Sequence, residues 1–389
     1  MLSIIWLILG TVLTLITVAG TLELIFLTFG GLFATNKKMG IPLDNALKLA
    51  VVVPAHNESE GIVDCIHSLQ ACQPPKGHSE IYVIADNCTD NTAELARAAG
   101  VQVIERHNEQ ERGKGYALDY AFQKLLSQGV DAVVVIDADT SVEANFLISC
   151  EHAFSSGAAA IQCRYTVKNV EDSLRTRLMH LALLAFNILR PRGREFWGVS
   201  AGISGNGFGL HRTTLEKVPY SARSVVEDLE YHLQLVNAGL RVQFIDQTCV
   251  RAAMPTAKSG TETQRTRWEG GRFRMMVDFI PILVKRVLTG DWRALEPLLE
   301  LLLLPLALHV VLLVITLLIP TGWTQVYALF ALFIVSLHVL AAWWVGSRRW
   351  HELSVLFIVP FYILWKLILL PQSLRNARKN TAWQRTERE

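Results

Sequence analysis

The stretch Ala132-Val133-Val134-Val135-Ile136-Asp137-Ala138-Asp139 decides the fold. A short β-branched run of this kind reads as a strand, and it stops at two carboxylates one residue apart. Three similar runs precede it: Leu49-Ala50-Val51-Val52-Val53, Ile81-Tyr82-Val83-Ile84 and Val101-Gln102-Val103-Ile104. Helix-like segments at about 59–72, 91–100 and 116–128 separate them. Strands alternating with helices predict an α/β unit, a mostly parallel sheet covered by helices on both faces.

Open α/β sheets bind ligands beyond the carboxyl ends of their strands. Here those ends are polar. The first strand runs into Pro54-Ala55-His56-Asn57-Glu58, the second into Asp86-Asn87-Cys88-Thr89-Asp90, and the fourth into Asp137 and Asp139. Arg112-Gly113-Lys114-Gly115 follows the third. One such loop means little, because Asp and Asn are common turn formers and N-caps. Four at one sheet edge point to a site. Asp137 and Asp139 can jointly ligate Mg²⁺ or Mn²⁺, hard ions that keep some waters and bridge to diphosphate oxygens. Lys114 between two glycines suits a charge reaching a phosphate past a close backbone. The spacing G-x-x-x-x-G-K-[ST] is absent, so this is no P-loop.

The 389 residues are 51% apolar, with the excess at the two ends. A formal net charge of +2 gives no global basic field for nucleic acid. Six cysteines, Cys65, Cys72, Cys88, Cys150, Cys163 and Cys249, lie in the middle without a C-x-x-C pair. They read as reduced structural residues in a cytosolic environment.

The apolar run at about 4–33, interrupted only by Glu23, is long enough to cross a bilayer. No basic residue precedes it and it exceeds a usual signal core, so it reads as a retained anchor within residues 1–35. Two more spans are expected at about 298–319 and 325–345, inside a unit 296–346. Lys37 and Lys38 follow the first span, and Arg348 and Arg349 the third. The positive-inside rule then places the N-terminus outside and the middle in the cytosol, as in a plasma (inner) membrane protein. The stretch at about 353–370 contains Pro360 and Lys366 and precedes a basic tail. As a fourth span it would export that tail, so residues 352–389 read as an interfacial helix with a cytosolic tail.

Further along, Glu227-Asp228 and Gln264-Arg265-Thr266-Arg267-Trp268 complete a series with Asp86 and Asp137-Ala138-Asp139. In that order these residues resemble the membrane-integrated family 2 glycosyltransferases, the inverting GT-A-fold enzymes. The resemblance is to the subgroup of cellulose, hyaluronan, chitin and poly-N-acetylglucosamine synthases. It covers about residues 48–290 and extends to the membrane layout. It implies a GT-A domain, Rossmann-like, flanked by transmembrane and interfacial helices. Pro54, Asn57, Glu58 and Asp86 would hold the uridine of a UDP-sugar, with Lys114 near the donor. Asp139, with Asp137, would bind the metal on the diphosphate. Asp228, beside Glu227, would be the general base. Gln264, Arg267 and Trp268 of the Q-x-x-R-W motif would line the acceptor and diphosphate end. Trp383, Arg385 and Arg388 resemble a gating tail, with Arg385 in place of the expected glycine.

Sugar transfer needs these residue types. An acceptor hydroxyl loses its proton as it attacks the anomeric carbon, which calls for a carboxylate base. The leaving nucleoside diphosphate gathers negative charge, which cations stabilise. Acidic residues at 227 and 228 equally suit a helix start, where they favour the dipole. The glycine-rich run at 202–209, including Gly205 and Asn206, reads as an acceptor-side loop or a tight connection. Leu174, Leu178, Leu181, Ala185 and Ile188 recur at helical spacing beside Arg175, Arg177 and Arg190, which suits an interfacial helix or ordinary packing.

Two enzyme readings follow. The Q-x-x-R-W motif favours a synthase extending a β-linked polysaccharide. The small number of spans favours single transfer to a membrane lipid, as in ceramide glucosyltransferases. A three-span polymer synthase would need a homo-oligomer or an export partner to complete a translocation path. Glu23, Glu300 and His309 are candidates for lining a polar path, since intramembrane ionisable groups face protein or water.

Overall fold

The computed structural model describes residues 2–35, 46–256 and 258–376. The tail residues Trp383, Arg385 and Arg388, like Lys37 and Lys38, lie outside them. Helix α1 (Leu2–Phe33) is followed by β1 (Lys48–Ala55), α2 (Ile62–Gln70), β2 (His78–Asp86), α3 (Thr92–Ala98), β3 (Gln102–Arg106), α4 (Lys114–Ser127) and β4 (Ala132–Val135). Then come β5 (Thr140–Val142), α5 (Phe146–Ser155), β6 (Ala160–Val167), α6 (Leu174–Leu184) and α7 (Arg190–Trp197), the last two joined by one wide helical turn. The domain continues through β7 (Phe208–His211), α8 (Arg212–Lys217), α9 (Glu227–Asn237) and β8 (Val242–Ala252) into the long α10 (Lys258–Leu288). Helices α11 (Leu295–Leu302), α12 (Leu306–Leu318), α13 (Gly322–Gly346) and α14 (Val359–Asn376) complete the described chain.

The described residues form one eight-stranded sheet, ordered β3-β2-β1-β4-β7-β6-β8-β5. The first four strands in that order are parallel, as the alternation predicts. Beyond β4 the sheet is mixed, because β7 runs antiparallel to both neighbours while β6 and β8 pair in parallel. Alternate residues of β1 divide between two cores. Leu49, Val51 and Val53 face a cluster with α2 and α5, and Ala50 and Val52 face a cluster with α4 and α9. A strand buried on both faces reads as an unbroken apolar run for this reason. Each fully buried valine contributes about 1.5–3 kcal/mol.

Among the described residues, three helical segments are long and apolar enough to cross a membrane: Leu2–Phe33, Gly322–Gly346 and Trp350–Gln372. They give the chain its membrane anchorage. The span expected at 298–319 is not a straight helix. It breaks between α11 and α12, which are bent by 76°. Pro305 has no N–H to continue the helix and clashes with the preceding turn. Arg272 of α10 satisfies the carbonyls freed at the break, donating to Leu303 O at 3.0 Å and to Glu300 O.

The expected polar path is also rearranged. Glu23 of α1 and Glu300 of α11 both meet Arg194 of α7, at 3.8 and 3.0 Å, and Glu296 pairs with the same guanidinium. His309 stands apart from them, 3.4 Å from Thr21. These acids therefore tie the anchor to the sheet domain. The apolar stripe of α6 does not lie against lipid either. Leu178, Leu181, Ala185 and Ile188 pack on Ala341, Ala342 and Trp343 of α13.

Candidate active site

The parallel register places three strand ends side by side. Ala55 is level with Ala85, and Val52 with Val135, so Pro54, Asp86 and Asp137 emerge at one edge. Adjacent strands stand about 4.8 Å apart, which sets the width of this edge.

The acidic loop after β4 is braced from below by Asn206. Its side chain accepts from Asp137 N at 3.1 Å and donates to Thr140 Oγ1 at 2.8 Å. Thr140 Oγ1 in turn donates to Asp139 Oδ1 at 3.3 Å. Asn206 is fully buried, so it holds the loop's shape and does not line an acceptor surface as expected. Gln162, also buried, fixes the glycine-rich segment by donating to Asn206 O at 2.8 Å and accepting from Ser204 N at 2.9 Å.

Lys114 opens α4 and reaches across the site. Its ammonium donates to Asp137 Oδ1 and, at 2.6 Å, to Gly205 O. Burial opposes that charge, but Asp137, Glu227 and Asp228 outweigh it and hold the lysine pKa above its ordinary value. Gly115 allows the approach, since a Cβ there would stand 2.3 Å from Ala222 O. Arg223 locks the same junction, donating to Asp119 at 2.6 Å and to Gly115 O at 3.2 Å while stacking 4.5 Å over Tyr116.

Glu227 and Asp228 begin α9, in agreement with the helix-start reading, and they also face Lys114. Burial, with the neighbouring Asp228, pushes Glu227 up to about 7. Burial raises Asp228 as well, against relief from the Leu229 N–H and Lys114. Asp228 lies directly beside Gly205, where an added Cβ would stand 3.1 Å from Oδ2. A buried carboxylate at a site edge with a raised pKa is a better proton acceptor than an ordinary exposed aspartate.

The α10 motif closes this region. The charge of Arg267 acts on both Glu227 and Asp228. Gln264 Oε1 and Arg267 Nε are buried without a hydrogen-bond partner among the described residues. Buried polar atoms left unpaired are costly, and a ligand's phosphate or hydroxyls would satisfy them. Trp268 is partly buried and packs against Val167, Met179, Leu183, Ala252 and Met254, which anchors α10 to the sheet edge.

On the other side of the edge, Asn57 adopts a left-handed backbone (φ 55°), and its side chain accepts from Thr89 N at 2.7 Å. Glu58 N donates to Thr92 Oγ1 at 2.9 Å, and the ring of His56 bonds Asp86 O at 2.7 Å. Asp86 is only 6% exposed and accepts from Arg106 at 2.8 Å. Arg106 also binds Glu111 O, tying the second and third strand ends together. Sequence reasoning missed Arg106, Gln162 and Arg223. Lone basic or amide residues carry no spacing signal, although Arg106 does sit at a strand's carboxyl end.

No group of three or more His, Cys, Asp or Glu able to hold a metal ion occurs among the described residues. Asp137 and Asp139 nonetheless fit a divalent ion that arrives with diphosphate, since such ions use one or two carboxylates plus phosphate oxygens.

Residues 46–271 match the family model described as glycosyltransferase like family 2. The beta-monoglucosyldiacylglycerol synthase of Nostoc sp. (strain PCC 7120) is 25% identical over 61% of this chain and 51% of its own. The poly-beta-1,6-N-acetyl-D-glucosamine synthase of Staphylococcus aureus (strain COL) is 25% identical over 64% and 60%. The chain spans about half the length of the curated relatives it matches. A solved structure of the mannosyltransferase PcManGT from Pyrobaculum calidifontis, with GDP-Man and Mn²⁺, shares the fold at a TM-score of 0.56 and 17% identity. That likeness covers 95% of this chain and 97% of the other, so it takes in the helices flanking the matched domain.

Proposed function

Because the chain belongs to glycosyltransferase like family 2, we propose that it transfers a hexosyl group, with inversion, from UDP-glucose or UDP-N-acetylglucosamine to a hydroxyl at the cytosolic face of the membrane. Our first reading of the acceptor is the end of a growing β-linked polysaccharide. The observation that carries the reading is the convergence of Lys114 on Asp137, Gly205, Glu227 and Asp228. It sets one cation between the diphosphate carboxylates and the base.

Asp228 takes the acceptor proton, with its affinity for that proton raised by burial. Lys114 and Arg267 supply positive charge where the nucleoside diphosphate departs. A divalent ion held by Asp139 and Asp137 would add Lewis-acid charge to the same oxygens. Asn57, Glu58 and Asp86 hold the nucleoside end, their loops pinned by Thr89, Thr92 and Arg106.

Transfer to a membrane lipid is the second reading, and one observation favours it. The helices of a single protomer are closed on each other. A Cβ at Gly10 of α1 would stand 2.9 Å from Thr321 Oγ1, and one at Gly20 would stand 2.9 Å from Leu303 Cδ1. A polymer path would then need a second copy or an export partner. Supplying labelled UDP-sugars to the purified protein in bilayers and separating organic-soluble from high-molecular-weight label tests both. Label in neither fraction would contradict the sugar-transfer reading.

A further inference from the structure

Helix α10 is held between two partners. Toward the sheet it presents Gln264 and Arg267, and Gly271 packs so closely on Val226 that a Cβ would stand 2.5 Å from its Cγ1. Val226 immediately precedes Glu227. The other face carries Glu262, Arg265 and Glu269, spaced by three and four residues as one helix surface requires. All three meet α14. Trp365 Nε1 donates to Glu262 at 3.1 Å, and the Arg265 guanidinium stands 5.4 Å from the centre of the Tyr362 ring. Lys366 pairs with Glu269, with side chains 12% and 13% exposed.

The opposite face of this last helical segment is bare. Phe357, Phe361, Leu364 and Ile368 recur at four, three and four residues and are 86%, 73%, 59% and 76% exposed. The occupant of that stripe is the bilayer. Large apolar residues are exposed in the same way on α1 and α13, at Leu15 and Phe333 among others. Trp350 and the Arg348–Trp344 stack mark a membrane–water boundary at the start of the segment. Helix α10 carries charged residues at nearly every turn from Glu262 to Asp278, so it does not enter hydrocarbon. The segment clasped to it therefore lies at the boundary, apolar face down.

We propose that α14 is a bilayer-seated support through which membrane contact sets the pose of Gln264 and Arg267 over the catalytic carboxylates, with Glu269 and Lys366 as the positioning pair. This inference rests on the sugar-transfer reading for its kinetic consequence. It implies that the enzyme works only when the lipid surface holding its acceptor also holds α14.

The test uses the full chain in lipid nanodiscs. Lys366→Glu and Glu269→Lys should each lower kcat/KM for the acceptor about tenfold and weaken UDP binding, read by calorimetry, because Arg267 stands where the diphosphate departs. The double exchange should restore most of the loss, and single variants that melt near the wild type while losing activity separate positioning from a merely structural defect. Phe361→Lys with Ile368→Lys should speed amide hydrogen exchange across α10 and leave α1 and α13 as protected as before. Wild-type kinetics in both single variants, or α10 exchange unmoved by the stripe variant, overturns the proposal. If the wild type transfers no sugar at all, the sugar-transfer reading fails. The exchange experiment, which needs no turnover, then decides the coupling by itself.

Discussion

Replacing Gly205 with alanine tests how tightly Asp228, the proposed base, is held. Gly205 has φ +73°, a conformation that costs a residue with a Cβ about 1–2 kcal/mol. The new methyl would stand 3.1 Å from Asp228 Oδ2 and 3.7 Å from its Cγ, so the carboxylate must shift by a few tenths of an ångström. A misplacement of about 1 Å at a reacting group costs about 100-fold in rate, and this smaller shift should cost about tenfold in kcat. Gly239 provides the control. It has nearly the same φ, +75°, with no neighbour within 4 Å of its added methyl. Gly239→Ala should lose a similar amount of stability and keep its activity. The assay pairs initial velocities at saturating donor with thermal melts of both variants. If Gly205→Ala keeps wild-type kcat while melting like Gly239→Ala, the placement of Asp228 beside the Gly205 backbone is wrong.

Other substitutions probe the remaining parts. Lys114→Ala removes the bridge from Asp137 to Gly205 and should raise the donor KM more than tenfold, whereas an unchanged donor KM would detach the lysine from the diphosphate. Arg272→Ala strips the donor from the carbonyls at the α11–α12 break and should cost about 3 kcal/mol, seen as a lower melting temperature in detergent. The acid pair predicts a pH dependence. Transfer should rise with pH as Asp228 loses its proton, with burial placing that limb above the ordinary aspartate range, and Asp228→Asn should abolish activity along with that limb. Folding shows the opposite trend. The folded chain holds the Glu227 proton up to about 7, above the unfolded glutamate value. This stability is full below the unfolded value and is lost as pH rises through the folded one. Melting temperature between about pH 5 and about pH 8 should therefore fall less steeply in Glu227→Gln than in the wild type.

The first half of the domain was legible because its strands are buried on both faces and leave unbroken runs such as Val51–Val53 and Ala132–Val135. The carboxylates at their ends then marked the site. Strands β5 to β8 left a weaker trace. They are short or mixed in polarity, and Gln162, Arg164 and Thr166 interrupt β6. Hydropathy over a window of the chain found the apolar length at 298–319 but did not register the bend, which depends on Pro305 and on a guanidinium supplied from α10. Asn206 misled for a related reason. A polar residue in a glycine-rich run suggests a ligand loop, and only the fold shows it fully buried beneath Asp137. Residues 353–370 read as an interfacial helix from Pro360, Lys366 and the basic tail; in the structure Trp350–Gln372 is also long and apolar enough to cross a membrane, while one of its faces clasps α10.

The most direct test of the account is transfer from labelled UDP-glucose and UDP-N-acetylglucosamine by the protein in nanodiscs, with Mg²⁺ or Mn²⁺, beside an Asp228→Asn control. The account predicts label in a β-linked product, polymeric or lipid-borne, that disappears in the control. Transfer that survives Asp228→Asn, or an α-linked product, would contradict it.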